Sequence, residues 1–187
     1  NYLLKIKKIY KNLIIYNIGL SSKNSKKKLY KAFYKNNYFH FNNSFNKSYI
    51  KNKIKENYPD IYKNFTFKSE ILKLRKLDGL NLKLNPCFIK IDVEGLDHLV
   101  LQGMKKLINK TRPVILIEYN HSNFKNIYNF TKSKFDCYMY KVDDNKLLKL
   151  QSTQINNLLK GKVLEGKYIK NSVNLFYIRK NNKFKKL

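Results

Sequence analysis

The clearest hydrophobic pattern lies in the centre of the chain, where apolar residues change their spacing twice. Residues 87–93 form a nearly continuous apolar run, residues 96–107 repeat apolar side chains every three or four positions, and residues 114–119 form a second run. This order predicts strand, helix and strand, a βαβ unit with two parallel strands. Because both runs are almost wholly apolar, we expect helices on both faces of the sheet.

Before this unit the pattern is weaker and predicts short elements. An amphipathic helix is predicted over residues 1–11, strands over 13–18, 28–33 and 67–74, and a helix near 50–58. Gly19 and a polar turn at residues 21–25 end the first strand, and the second is expected to pair with it as a hairpin. Residues 34–65 show little periodicity, so we predict an irregular loop or insertion there.

After the unit the pattern predicts an antiparallel end of the sheet. The predicted elements are a helix over residues 123–134, strands over 137–142 and 146–150, a helix or turn over 152–160 and a closing strand over 172–179. Asp143, Asp144 and Asn145 separate the middle pair of strands, as in a hairpin turn.

The charge of the chain favours two different interpretations. The formal net charge is +28 and the pI about 10.0, which is typical of proteins that bind nucleic acid, anionic membranes or acidic glycans. Lysine and aromatic residues alternate over residues 26–67 and could attract and stack on a nucleic acid, with the rings of Tyr30, Phe33, Tyr34, Tyr38, Phe39 and Phe41. The lysines are, however, spread along the whole chain together with Asn, Ile and Tyr, which also fits a genome rich in adenine and thymine. No recognised nucleic-acid motif accompanies them.

Cysteine content and hydropathy bear on location. Cys87 and Cys137 are far apart and have no metal-ligand spacing, so we expect two buried, reduced thiols and a cytoplasmic protein. No apolar run reaches the roughly 20 residues that span a bilayer. The chain begins with Asn1 in a helical pattern, which we interpret as a sign that it is part of a longer protein.

Acidic residues are concentrated where the first central strand ends. Three of the 12 acids, Asp92, Glu94 and Asp97, lie within six positions, and Glu118 ends the second strand. Ligands of open α/β sheets bind at the carboxyl ends of strands, so Asp92, Glu94 and Glu118 are candidate catalytic acids. Alternatively, these acids cap the following helix, which we favour for Asp97, and Glu118 forms a structural ion pair. His40, His98 and His121 are assigned no role.

These residues resemble a known family. Three segments carry the resemblance: residues 89–95 (IKIDVEG), 100–103 (VLQG) and 113–118 (PVILIE). Together they are similar to the FkbM-type S-adenosylmethionine-dependent methyltransferases, and residues 17–24 and 74–78 are similar to segments near that family's third and fourth strands. The similarity spans most of the chain outside residues 34–65.

The resemblance implies a fold, a cofactor and a reaction. It implies one partial Rossmann-like class I methyltransferase domain over residues 1–187, with a mostly parallel sheet and an antiparallel far edge. The resemblance implies that the family's first two strands, with their glycine-rich cofactor loop, are missing from this sequence, so we expect an inactive fragment with either a vacant place beside the central strand or an early strand that has shifted to fill it. Gly19, Leu20, Ser21 and Asp92 are the expected S-adenosylmethionine contacts.

The expected reaction is methylation of a sugar or glycan hydroxyl. A divalent cation on the same acids is possible chemistry, but no metal site is predicted. We expect a small-molecule or glycan acceptor, no specific nucleic acid, and weak attraction to anionic membrane or glycan surfaces.

Overall fold

A computed structural model of the protein describes residues 7, 9–10, 12–93, 95–141, 145–162 and 174–180. These residues form an α/β fold with two mixed sheets. The strands are β1 Gly19–Leu20, β2 Ser25–Tyr34, β3 Asn37–Ser44, β4 Phe65–Arg75, β5 Phe88–Ile91, β6 Val114–Glu118, β7 Phe135–Lys141, β8 Lys146–Lys149 and β9 Asn174–Arg179. The helices are α1 Lys47–Asn57, α2 Asp97–Gly103, α3 Lys105–Thr111, α4 His121–Thr131 and α5 Ser152–Leu159.

The first sheet has the order β1-β4-β2-β3. Only β1 and β4 are parallel; β2 pairs antiparallel with both β3 and β4. Helix α1 begins at Asn46, whose side-chain oxygen accepts hydrogen bonds from the N–H groups of Ser48 and Tyr49. Its buried residues Ile50 and Ile54 pack with Ala32 and Phe65, which gives this sheet a core of its own.

The second sheet has the order β5-β6-β9-β7-β8. Strands β5 and β6 are parallel, as the βαβ pattern predicts, and β9, β7 and β8 continue the sheet antiparallel. Helices α2 to α5 share one core with the alternate strand residues Ile115, Ile117, Leu175 and Tyr177. The alternation of buried and half-buried residues in β6 shows that one face is covered more fully, so the expected helical cover on both faces is not observed among the described residues.

The two sheets meet where α2 approaches β1. A Cβ atom at Gly103 would collide with the main-chain carbonyl oxygen of Ser21, so only glycine allows this close packing. Leu20 of β1 also packs against the core of the second sheet. These contacts place the end of β1 next to the start of the central βαβ unit.

Several expectations for the first 75 residues are wrong. Residues 13–18 form no strand, and the parallel strand near them is the short β1. The partner of β2 in a hairpin is β3, not residues 13–18, and the predicted loop over 34–65 contains β3, α1 and a 3-10 helix, Tyr62–Asn64. The helix predicted over residues 1–11 lies almost entirely outside the described residues.

Later expectations are closer, with three differences. One mostly parallel sheet was expected, whereas two mixed sheets form, each with one parallel pair. The helix predicted over 96–107 is divided at Met104 into α2 and α3. Cys137 is buried, and burial raises the pKa of its thiol to about 12, but Cys87 is exposed, contrary to expectation. The hairpin of β7 and β8, helix α5 and closing strand β9 are confirmed.

Candidate functional site

The carboxyl ends of β5 and β6 bring two predicted acids to the same edge of the second sheet. Ile91 pairs with Ile117, so Asp92 and Glu118 follow in matching positions on strands that lie about 4.8 Å apart. The Asp92 carboxylate lies 3.0 Å from the Lys90 ammonium nitrogen, and both side chains are about half exposed. A surface ion pair of this kind holds a carboxylate only weakly. Asp92 therefore remains accessible to a ligand.

Glu118 is half-buried, and no described residue forms a hydrogen bond or ion pair with its carboxylate. The structural ion pair considered from the sequence is thus not observed in the described part of the chain. Glu94 lies outside the described residues, and its expected catalytic or capping role stays a prediction.

A cavity of about 570 Å³ runs along the free edge of β5, and we call it the edge cavity. Residues 16–20 form one wall and residues 77–86 form another. The cavity is closed by Val100 of α2, Met104 at the junction of the two helices, and Leu107 of α3. Lys90, Asp92 and Val93 line its strand side. Among the described strands, β5 pairs only with β6, so no described strand lies along its other edge.

A second cavity, of about 420 Å³, lies against the face of the first sheet that α1 leaves uncovered, and we call it the sheet-face cavity. Leu29 of β2 and Leu72 and Leu74 of β4 form its floor, and Val93 and Leu96 reach it from the loop after β5. Leu20 and Val93 line both cavities. Two neighbouring cavities therefore share a wall at the loop that carries the candidate acids.

The predicted cofactor contacts are only partly brought together. Leu20 and Asp92 line the edge cavity, whereas Gly19 and Ser21 line the sheet-face cavity alone. Ser21 is buried, and its N–H donates a 2.9 Å hydrogen bond to the Arg75 carbonyl, which extends the pairing of β1 with β4. Gly19 and Ser21 thus serve the packing of the first sheet, and their expected contact with the cofactor remains a prediction.

Asp97 acts as a structural residue, although not as the helix cap that was favoured. It is buried, and its carboxylate accepts hydrogen bonds from the Val93 N–H at 3.2 Å and from the Asn123 side-chain amide at 2.8 Å. The residue before the helix, Leu96, forms no side-chain cap. The pair of Asp97 and Asn123 fixes the loop after β5 against α4. Sequence reasoning missed Asn123, which stands on the apolar side of its helix beside Phe124 and Ile127.

Neither of the two histidines whose side chains are described, His98 and His121, lines either cavity. His98 is half-buried, and burial lowers its pKa more strongly than the neighbouring Asp97 carboxylate raises it. Its Nδ1 atom is buried without a hydrogen-bond partner among the described residues. His121 is exposed, and its ring packs over Gly161. The side chain of His40 is not described.

The described residues contain no group of three or more His, Cys, Asp or Glu side chains that could hold a metal ion. Glu94 is not among them. No helix in the described part of the chain is long and apolar enough to cross a membrane.

Three of the six aromatic rings proposed to stack on nucleic acid pack into a core instead, and the side chain of Phe41 is not described. Tyr30, Tyr34 and Phe39 pack against the core beneath α1. Phe33 and Tyr38 lie on the opposite face, with their ring centroids 5.5 Å apart. A lysine ammonium group lies over each of the two rings. The alternation of lysine and aromatic residues therefore builds a sheet in which lysines cover rings through cation–π contacts.

Comparison with known proteins places the chain in a family. The sequence profile of the Methyltransferase FkbM domain matches residues 1–140, which include the lining of both cavities and the candidate acids Asp92 and Glu118. The chain belongs to the FkbM methyltransferase family. It is also similar to the crystal structure of methyltransferase FkbM from Methylobacillus flagellatus KT, with 11% identity and a TM-score of 0.47. That alignment covers 94% of this FkbM chain and 32% of the solved one, so the chain spans about a third of that protein. No curated protein matches it in sequence.

Proposed function

We propose that this FkbM chain is the core of an S-adenosylmethionine-dependent O-methyltransferase, with its reaction centre at the loop after β5. The observation that carries the proposal is the position of Asp92. Its accessible carboxylate lines the edge cavity at the carboxyl end of a parallel strand, and Leu20 and Val93 form the wall between this cavity and the sheet-face cavity. Membership of the family supports methyl transfer.

The edge cavity suits the proposed cofactor in size and lining. Ligand sites are typically about 300–1,000 Å³ and mostly apolar with a few polar groups, and this cavity holds about 570 Å³. Leu20 and the apolar wall could pack against an adenine ring, and Asp92 could accept hydrogen bonds from hydroxyl or ammonium groups. S-adenosylmethionine, when bound, supplies an electrophilic methyl group.

The protein's own contribution is to orient an acceptor hydroxyl and take its proton. Asp92 would accept that proton as the oxygen forms its new bond to carbon, and Glu118 at the next strand end is the second candidate. Glu94 stays a third candidate from the sequence. We take the acceptor to be a sugar or glycan derivative, as the family resemblance implies.

The free edge of β5 bears on the activity of this chain by itself. In a complete class I methyltransferase sheet we expect further strands at this edge, bringing the glycine-rich loop to the cofactor. We propose that the chain alone binds the cofactor at the edge cavity but has little or no turnover. The free thiols of Cys87 and Cys137 are compatible with the proposed cytoplasmic location.

The proposal is tested by equilibrium dialysis of the chain with radiolabelled S-adenosylmethionine. We expect saturable binding that Asp92→Asn weakens by about tenfold or more, because a hydrogen bond to a charged group contributes about 1.5–3 kcal/mol. The matched control is Asp60→Asn, since Asp60 is exposed and lines neither cavity. Absence of saturable binding, or equal affinities for Asp92→Asn and wild type, would overturn the proposal.

A further inference from the structure

We propose that the sheet-face cavity binds the apolar body of the methyl acceptor, so that the substrate is an amphipathic hydroxyl compound rather than a free sugar. The identification of the bound molecule as the methyl acceptor rests on the proposed function. The cavity and the chemistry of its lining are observed independently of that function. The proposed binding site lies on the first sheet, opposite the face covered by α1.

The floor of the cavity is built by the alternation of two antiparallel strands. Lys27 pairs with Leu72 and Leu29 with Glu70, so Leu29 and Leu72 lie diagonally on one face, with Leu74 two residues further along β4. Ala32 and Phe67, which contact the core beneath α1, belong to the other face. Leu29 and Leu72 are therefore left half-exposed on a face that no described helix covers.

The far wall comes from the loop that carries Asp92. Val93 and Leu96 line the cavity, and the hydrogen bond from the Val93 N–H to the buried Asp97 carboxylate holds this loop in place. A molecule resting on the leucine floor would thus lie beside the candidate catalytic loop, and Val93 and Leu20 separate it from the edge cavity.

The polar rim includes a buried side-chain oxygen that accepts no hydrogen bond from the described residues. Asn46 accepts from Ser48 and Tyr49, and Ser44 accepts from the Asn46 N–H, so both are engaged. Asn43 also lines the cavity, and its side-chain oxygen has no partner among the described residues. A ligand hydroxyl can donate to an amide oxygen of this kind.

This combination selects a class of compound. A volume of about 420 Å³ with six aliphatic side chains suits a short alkyl chain or a single ring. A free sugar placed there would lose its hydrogen bonds to water against leucine side chains, which is unfavourable. A sugar hydroxyl on an apolar aglycone would satisfy both the floor and the rim.

The test compares methyl, butyl, hexyl and octyl β-D-glucoside, each below its micelle concentration, by NMR titration of the isotope-labelled full chain. We expect affinity to rise by about fourfold per methylene until the cavity is filled, because burying a methylene contributes about 0.8 kcal/mol. Equal affinities for the methyl and octyl compounds would overturn the inference.

Two variants locate the binding. Leu72→Trp should fill the cavity and reduce octyl glucoside affinity by at least tenfold, whereas Ile71→Trp should not, since Ile71 is the adjacent residue on the opposite face and is 67% exposed. Should Leu72→Trp fail to fold, Leu29→Ala should still weaken octyl glucoside binding severalfold. If Leu72→Trp, or Leu29→Ala in its place, binds as wild type does, the cavity is not the site.

Adding S-adenosylmethionine to the same samples separates the two proposals. Cofactor binding without dependence on alkyl chain length overturns the inference alone. Dependence on chain length without cofactor binding overturns the proposed function and leaves an amphiphile site.

Discussion

At the scale of single residues, two side chains and one missing side chain hold the candidate site in position. Gly103 lets α2 touch the carbonyl of Ser21, Asp97 ties the loop after β5 to α4, and Asn123 completes that contact. None of the three is predicted to touch a ligand. Their role is to fix the wall that the two cavities share.

Gly103→Ala should destabilise the protein because its methyl group would overlap the Ser21 carbonyl oxygen. Overpacking of this kind costs about 1–3 kcal/mol, and here the obstacle is main chain, which cannot rotate away. Gly79→Ala is the control, since a Cβ there meets nothing within 4 Å. Urea unfolding measures both free energies. Equal stability of the two variants would show that α2 does not pack on β1 as described.

Asp97→Ala should cost about 1–3 kcal/mol of unfolding free energy, because it leaves the Val93 N–H and the Asn123 amide without a buried partner. Asp97→Asn should cost less. The amide oxygen introduced at position 97 can still accept a hydrogen bond from the Val93 N–H. The Asn123 oxygen has no partner among the described residues of the wild type, and rotation of the Asn123 amide would let it accept a hydrogen bond from the new amide N–H group. Thermal unfolding of both, beside Asp60→Ala, gives the order, and a larger loss for Asp97→Asn would contradict this hydrogen-bond network.

At the scale of elements, the break between α2 and α3 has an identifiable cause. Met104 lies between the two helices with φ −118° and ψ 21°, directly after the glycine that packs on β1. The Asp78 carboxylate accepts from the N–H groups of Lys106 at 2.8 Å and Leu107 at 3.0 Å, at the start of α3. Asp78, which belongs to the 3-10 helix Leu77–Gly79, therefore caps the N-terminus of α3, because the residue before α3 provides no capping side chain.

Asp78→Ala should therefore destabilise the protein by about 0.5–2 kcal/mol, the usual cost of losing a helix cap. Asp78→Asn should recover part of this loss, since an amide oxygen can still accept one of the two hydrogen bonds. The measurement is urea unfolding followed by circular dichroism. A loss no greater than that of Asp60→Ala would show that α3 begins without help from Asp78.

The sequence predicts elements well where local period and burial agree. Residues 88–91 and 114–118 are mostly apolar because β5 and β6 pack against the helices of the second core, and their parallel pairing follows from the helical segment between them. It fails for β3 because Tyr38 and Phe39 lie on opposite faces of the sheet, where a lysine covers the Tyr38 ring and Phe39 packs beneath α1, so neither face alone is apolar. Asp92 is identifiable from its place after a strand, whereas the sheet-face cavity depends on the register of β2 and β4, which brings Leu29 and Leu72 to diagonal positions on one face although they are 43 positions apart, and no local pattern contains that register.

At the scale of the whole molecule, two sheets with separate cores meet at one loop. The first sheet supplies the floor of the sheet-face cavity, and the second supplies the strand edge of the other. Residues 92–97 connect the two, because Leu96 faces the first sheet and Asp97 is buried in the second. This arrangement explains why the acids are identifiable from the ends of two neighbouring strands, whereas the cavities need residues of both sheets.

The net charge of +28 gives the last prediction, which concerns nucleic acid. We expect binding to single-stranded oligonucleotides that is indifferent to sequence and falls by about a thousandfold between about 50 and 200 mM salt, because it rests on phosphate contacts. Phe33→Ala and Tyr38→Ala should change affinity by less than about twofold, since lysines cover both rings, whereas a true stacking platform would lose about fivefold or more per base.

Lys31→Glu with Lys68→Glu is the matched electrostatic variant and should weaken binding of every sequence equally. Fluorescence anisotropy with labelled dT20 and dA20 measures the affinities of the wild type, the two aromatic variants and the double lysine variant. A large loss with either aromatic variant, together with a preference between the two oligonucleotides, would restore the nucleic-acid hypothesis for residues 26–67.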